Sequence, residues 1–130
     1  MSTYALAGSL ATVTNNGYLK TANISSTPLP TGKTWLGTVE FGGASTIMPS
    51  ATAYNNVVIT SAALNVSSNA TINGNLTISG SGKMIGENSI SRSVNLAGNL
   101  SVSGTGGITN TGGSQSFSFS LTGTGKTYTN

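Results

Sequence analysis

The sequence predicts an all-β fold, a parallel β-helix (β-solenoid) with ~24-residue rungs, and three observations support it. First, every sixth residue from Val66 to Ile108 is aliphatic or a thioether in a chain dominated by Ser, Thr, Asn and Gly. Second, pairs such as Leu76/Ile78 stand at i and i+2, which places both side chains on one face of a strand. Third, the segment 72–82 realigns on the segment 96–106 with glycines at matching positions.

This repeat predicts a core and a ladder of polar side chains. The predicted core residues are Val66, Ile72, Ile78, Met84, Ile90, Leu96, Val102 and Ile108. Asn75 and Asn99 occupy the same repeat position, so we expect a stacked ladder with side-chain amides bonding along the axis. The repeat alone does not determine whether neighbouring strands are parallel, and a β-sandwich remains the alternative fold.

The chain divides into two parts in sequence order. Residues 1–34 predict one or two strands followed by a Pro/Gly loop, serving as a cap or an inter-subunit segment. Residues 35–130 predict the solenoid repeat region. Bulky aromatic residues stand near both ends of that region and are expected to cap the stack or form an interface. They are Trp35, Phe41, Phe117, Phe119 and Tyr128.

Three segments carry a resemblance to a known family. Gly37–Gly43 (GTVEFGG), Tyr54–Ile59 (YNNVVI) and Asn73–Ile78 (NGNLTI) resemble repeats of large secreted surface proteins of the Bacteroidetes. The resemblance covers roughly residues 37–130. It implies a structural role, because such arrays form stalks of adhesins or cell-surface filaments, and it implies an extracellular or cell-surface location.

The composition argues against several classes of function. Only 5% of residues are charged and the five cations are scattered, so we expect no nucleic-acid binding, which needs clustered Lys and Arg. No apolar run reaches the ~18 residues of a membrane-spanning helix, so no membrane insertion is expected. Cysteine is absent, which removes disulfides and thiolate metal sites.

Catalytic chemistry has few candidates. Glu40 and Glu87 are the only acids and there is no His, so neither a carboxylate pair nor an activated nucleophile is convincing. Glu40 alternates with Phe41 along a predicted strand and is expected to lie on its solvated face. We therefore predict a non-enzymatic protein with no catalytic residues, no cofactor and no metal ligands.

Two kinds of recognition remain open beside the structural role. The tyrosines Tyr4, Tyr18, Tyr54 and Tyr128 are expected to be exposed and could stack on surface glycans, as in a carbohydrate-binding or tail-fibre-like module. An ice-binding face would need threonines in register, but Thr71 realigns with Asn95 and Thr77 with Ser101. The leading hypothesis is a stalk or adhesin segment, or a filament subunit, that forms a homo-oligomer or homopolymer head to tail.

Overall fold

The computed structural model describes residues 12–13, 17–24, 28–51, 53–86, 90–110 and 116–130. These residues form β-strands and contain no helix. The strands are β1 (Thr12–Val13), β2 (Tyr18–Thr21), β3 (Thr34–Phe41), β4 (Ser45–Met48), β5 (Ala53–Ile59), β6 (Ala63–Val66), β7 (Ala70–Ile72), β8 (Leu76–Ile78), β9 (Lys83–Gly86), β10 (Arg92–Leu96), β11 (Leu100–Val102), β12 (Gly107–Asn110), β13 (Phe117–Leu121) and β14 (Tyr128–Thr129).

Every strand pairing among the described residues is parallel. Leu100 lies directly beside Leu76 on the neighbouring strand, one turn of chain away. The fold is a parallel β-solenoid of about 4 turns, which confirms the predicted fold class. The alternative of a β-sandwich is wrong, because its sheets are antiparallel.

The strands line three faces of the solenoid. Face a stacks β1, the first part of β3 and of β5, then β7, β10 and β13. Face b stacks β2, the second part of β3 and of β5, then β8, β11 and β14. Face c stacks β4, β6, β9 and β12. The chain visits a, b and c in that order, so each full turn adds one strand to each face.

The stack has six layers by these pairings. The first contains β1 and β2, the second β3 and β4, and the third β5 and β6. The fourth contains β7, β8 and β9, the fifth β10, β11 and β12, and the sixth β13 and β14. In the described part of the chain, faces a and b are therefore occupied in all six layers, whereas face c carries a strand only in the second to the fifth.

Apolar and polar residues alternate along the strands, and the apolar side chains fill the interior. Val66, Ile72, Ile78, Met84 and Leu96 are fully buried, Val102 is buried, and Ile108 is partly buried against the core. The prediction is wrong for Ile90, whose side chain is 53% exposed. Ile90 falls between β9 and β10, outside any strand, because the six-residue spacing does not continue through that longer connection.

Turn length is not constant along the chain. Residues in adjacent layers are 19 positions apart between the second and third layers, 24 apart between the fourth and fifth layers, and 28 apart at the last step on face b. The early turns are shorter because β5 passes unbroken from face a to face b. In the later turns a corner at Gly74 and Gly98 separates the two strands. The 24-residue repeat thus describes the middle of the solenoid.

The asparagines at the corner between faces a and b form hydrogen bonds along the axis, from main-chain N–H groups to side-chain oxygens. The Asn99 backbone N–H donates to the Asn75 side-chain oxygen at 2.9 Å. The Asn75 N–H donates in the same way to Asn56, and the Thr127 N–H donates to Asn99. Each side chain therefore binds the main chain of the next layer and not another side-chain amide, which satisfies a backbone donor where the strand breaks at the corner.

The N-terminal part joins the same stack. β2 pairs with β3, and β3 pairs in turn with β5, so Trp35 and Phe41 lie inside the stack and not at its end. Both side chains are buried, which corrects their predicted capping role. Leu29, from the Pro-rich loop before β3, is buried in the same core. The division of the chain at residue 34 remains a prediction.

Candidate functional site: the C-terminal end of the solenoid

The most distinctive surface of the molecule is its C-terminal end, where interior positions are left open. Leu121 continues the inward column of Ile72 and Leu96 on face a. Tyr128 continues the inward column of Leu76 and Leu100 on face b. These two residues therefore occupy core positions of the last layer.

Their exposure shows that nothing described lies above them. Leu96 and Leu100 are buried, whereas Leu121 is 43% exposed and Tyr128 is 56% exposed. The difference arises because each inward side chain is covered by the layer that follows it, and among the described residues no layer follows the sixth. Phe119, at an inward position of the same layer, is only partly buried.

These residues surround an open depression of about 550 Å³. We name the surface the C-terminal end face, and its apolar members are Leu100, Val102, Ile108, Phe119, Leu121 and Tyr128. The fifth layer provides Leu100, Val102 and Ile108, and the sixth provides the other three. The depression lies beside β12, where face c has no sixth strand among the described residues.

The last strand on each face directs main-chain N–H and C=O groups away from the stack. β12, β13 and β14 are terminal in the strand order of their sheets. A terminal strand is a template for pairing with a further strand, and charged residues usually protect it. Within residues 116–130 the only charged side chain is that of Lys126, in the loop before β14. The end face thus combines apolar core positions with a lightly charged strand edge.

No family model, no curated protein and no solved structure matches this chain. The proposed function therefore rests on the fold and on the geometry of the C-terminal end of the solenoid.

A second cluster surrounds Glu40 on the outer side of β3. The carboxylate is 5% exposed and receives hydrogen bonds from the Tyr18 hydroxyl and, at 3.0 Å, from the Thr60 hydroxyl. Lys20 forms an ion pair with it at 2.7 Å. The sequence-based expectation of a solvated Glu40 is wrong, because side chains from β2 and from the end of β5 cover it.

This environment lowers the pKa of Glu40. Burial alone raises the pKa of the carboxyl, but the hydrogen bonds from Lys20, Tyr18 and Thr60 favour the charged form and outweigh it. The hydrogen bond to Glu40 also raises the pKa of Tyr18. Each partner is a donor to a carboxylate that stays ionised, so the cluster joins the first layer to the second and third.

Other predicted features have the following places in the structure. Thr71 pairs with Asn95 and Thr77 with Ser101, so the outer rows of faces a and b mix residue types. Tyr18 is exposed, but Tyr54 is buried and donates a hydrogen bond to the Pro49 carbonyl at 2.7 Å, which corrects its predicted exposure. Tyr4 and Glu87 lie outside the described residues.

Metal-binding clusters and membrane-spanning helices are both absent from the described part of the chain. No group of three or more His, Cys, Asp or Glu side chains there could hold a metal ion. None of the described segments forms a helix that could cross a lipid bilayer.

Of the aromatic residues named from the sequence, Phe119 and Tyr128 lie on the C-terminal end face, whereas Phe117 is partly buried against the core and does not line it. Leu121 and Ile108 were not predicted as parts of this surface. The sequence predicted Ile108 as a core residue, and its side chain does point inward. One side of it is exposed because no described strand covers it. Both residues lie on the last strand of their face. Their exposure can be predicted from the sequence only when the turn lengths, and hence the last strands, are known.

Proposed function

We propose that this chain is a non-enzymatic structural protein of the cell surface or extracellular space, a solenoid stalk or filament subunit that associates end to end. The C-terminal end face is the observation that carries the proposal. It offers inward-register apolar side chains and parallel strand edges, and a further solenoid layer satisfies both. The extracellular location is supported by the resemblance of residues 37–130 to secreted surface repeats.

The energetics favour a partner on this face. Leu121 and Tyr128 are large side chains left about half exposed. Full burial of an exposed apolar side chain of this size contributes about 1.5–3 kcal/mol, so covering one that is already half buried contributes roughly half of that. The contact joins one end of a copy to the opposite end of the next, and such a contact extends into a filament.

Light scattering combined with negative-stain microscopy tests the proposal. The mass of the protein should rise with concentration, and thin filaments of uniform width should be seen. Leu121→Asp should abolish the increase in mass. Leu36→Asp is the matched control, because Leu36 is 41% exposed on β3 in the second layer, and this variant should assemble normally. A wild-type protein that stays monomeric at high concentration would show the proposal to be wrong.

A further inference from the structure

The strands of face b form continuous rows of paired residues from the first layer to the last. The inward row contains Leu19, Val39, Val57, Leu76, Leu100 and Tyr128, and the outward row beside it contains Lys20, Glu40, Val58, Thr77, Ser101 and Thr129. Each row begins on β2 and ends on β14. A second solenoid that continues the stack therefore meets β14 in a defined register.

The inward row is incompletely covered at both of its ends. Val39 and Leu76, in the middle of the row, are 1% and 0% exposed. Tyr128, in the last layer, is 56% exposed, and Leu19, in the first layer, is only partly buried. Among the described residues, β2 pairs with β3 alone and β14 with β11 alone. Both ends of the row thus lack, within the described stack, the second neighbouring layer that its middle has.

We propose that β2 of a second copy of this chain adds to β14 as a parallel strand, with Leu19 of that copy beside Tyr128 and its Lys20 beside Thr129. This inference rests on the proposed end-to-end association and specifies the strand and the register of the contact. In this arrangement Leu19 covers Tyr128 just as each inward residue of the row covers the one in the layer before it.

Face a supports the same placement. Its row of paired residues runs from β1 to β13 and contains Val13, Trp35, Tyr54, Ile72, Leu96 and Leu121. Since β1 and β2 share the first layer and β13 and β14 share the sixth, β1 of the second copy lies beside β13 when its β2 lies beside β14. The main chain at Val13 is then beside Leu121, so one placement continues the rows on two faces.

The charge on β2 does not oppose this contact. Lys20 is the only charged residue of the strand, and it lies in the outward row, where it forms an ion pair with Glu40 at 2.7 Å. A lysine on an edge strand usually protects it against pairing. Here its charge is held against face b of its own copy, and its neighbour on β14 is the uncharged Thr129. The inward row carries no charge from Leu19 to Tyr128.

Disulfide cross-linking tests the register, because the wild-type chain contains no cysteine. Neighbouring parallel strands place paired Cα atoms about 4.8 Å apart, within the ~4.4–6.8 Å that a disulfide spans. The double variant Lys20→Cys/Thr129→Cys keeps the inward row intact, and within one copy its two cysteines lie in the first and the sixth layers, too far apart to join. Under mild oxidation it should therefore give a series of covalent oligomers on a non-reducing gel.

Lys20→Cys/Ser101→Cys is the matched control. Ser101 is exposed in the same outward row as Thr129, but it lies one layer further from the second copy. Its Cα atom would be roughly 10 Å from that of residue 20 across the contact, which is beyond the reach of a disulfide. This variant should assemble without forming covalent oligomers.

A mixing experiment tests the inward row without the loss of the Lys20 ion pair. Leu19→Asp blocks the N-terminal end of the row, and Tyr128→Asp blocks its C-terminal end. Each variant alone should be monomeric in light scattering, and an equimolar mixture should form a species of twice the monomer mass through the two intact ends. Thr129→Asp, at the exposed outward neighbour of Tyr128, is the control and should assemble like the wild type.

The outcomes separate the two proposals. If the wild type assembles but the oxidised Lys20→Cys/Thr129→Cys filaments contain no more covalent oligomers than the control, the register is wrong and end-to-end association stands. The same conclusion follows if Leu19→Asp assembles like the wild type, or if the mixture yields no dimer. A covalent dimer of Thr129→Cys alone would show that two C-terminal ends meet, which contradicts both proposals. If the wild type itself remains monomeric, the association is wrong and the strand pairing is wrong with it.

Discussion

At the scale of single residues, the close stacking of one chain turn on the next at the corners determines which substitutions the solenoid tolerates. A Cβ built on Gly106 would lie 1.9 Å from the Gly82 carbonyl oxygen of the preceding layer. A Cβ on the adjacent Gly107 would meet nothing within 4 Å. Both glycines lie over the preceding turn, but a Cβ on Gly106 would point at its backbone, whereas a Cβ on Gly107, which pairs with Lys83, would point into open space.

We predict that Gly106→Ala lowers the free energy of unfolding by about 2–4 kcal/mol, since backbone must move to admit the methyl group. Gly107→Ala should change it by less than about 1 kcal/mol, and in the stabilising direction, because alanine restricts the unfolded chain. Urea titration followed by circular dichroism measures both. Equal stability of the two variants would contradict the stacking at this corner.

The asparagine ladder gives a second prediction at the residue scale. Asn75→Ala removes the acceptor of the Asn99 N–H at an exposed corner where water can replace it, so the loss should be only about 0.5–1.5 kcal/mol of unfolding free energy. Asn73→Ala, at an exposed position of the same corner, is the control and should cost less. Amide hydrogen exchange should accelerate at Asn99 in the first variant alone. Unchanged exchange at Asn99 would show that the bond contributes nothing.

At the scale of elements, the Glu40 cluster holds β2 against the rest of the stack. Because the folded-state pKa of Glu40 lies below its ordinary value of 4.5, its carboxylate stabilises the folded protein above that pH. The contribution is lost as the pH falls from about 4.5 through the lowered folded-state pKa.

We predict that Glu40→Gln destabilises the protein by about 1 kcal/mol at pH 7, because charge-assisted hydrogen bonds become neutral ones. The variant should also lose the dependence of stability on pH below 4.5 that this group gives the wild type. Tyr18→Phe removes one donor and should retain most of that dependence. Denaturation of the three proteins between about pH 3 and pH 7 is the measurement, and identical pH profiles would contradict the cluster.

The strands and connections also show which features of the fold could be predicted from the sequence. The i, i+2 aliphatic pairs predicted correctly which side chains point inward, because inward alternation is a local property of each strand, and the realigned 24-residue segments predicted the stacking of one turn on the next. Ile90 was misplaced because a fixed six-residue spacing ignores a connection of unequal length. Glu40 and Tyr54 were misplaced because their burial depends on residues of other segments, such as Lys20 and Pro49. The candidate site was predicted only through its aromatic residues.

At the scale of the whole molecule, the two ends of the described stack are unlike. Near the N-terminal end, the loop between β2 and β3 buries Leu29 in the core, whereas the C-terminal end face leaves Leu121 and Tyr128 open. A contact between unlike ends is heterologous, so it continues from copy to copy and does not close into a symmetric dimer.

The helical rise of the assembled protein tests the central claim most directly. In the described part of the chain, face b contains six strands, which pair in the order β2, β3, β5, β8, β11 and β14. At the ~4.8 Å spacing of neighbouring strands, continuous stacking predicts a rise of about 29 Å per subunit along the filament axis. Electron cryomicroscopy of the filaments should show that rise with strands perpendicular to the axis. A rise unrelated to six strand spacings, or strands running along the axis, would contradict end-to-end continuation of the solenoid.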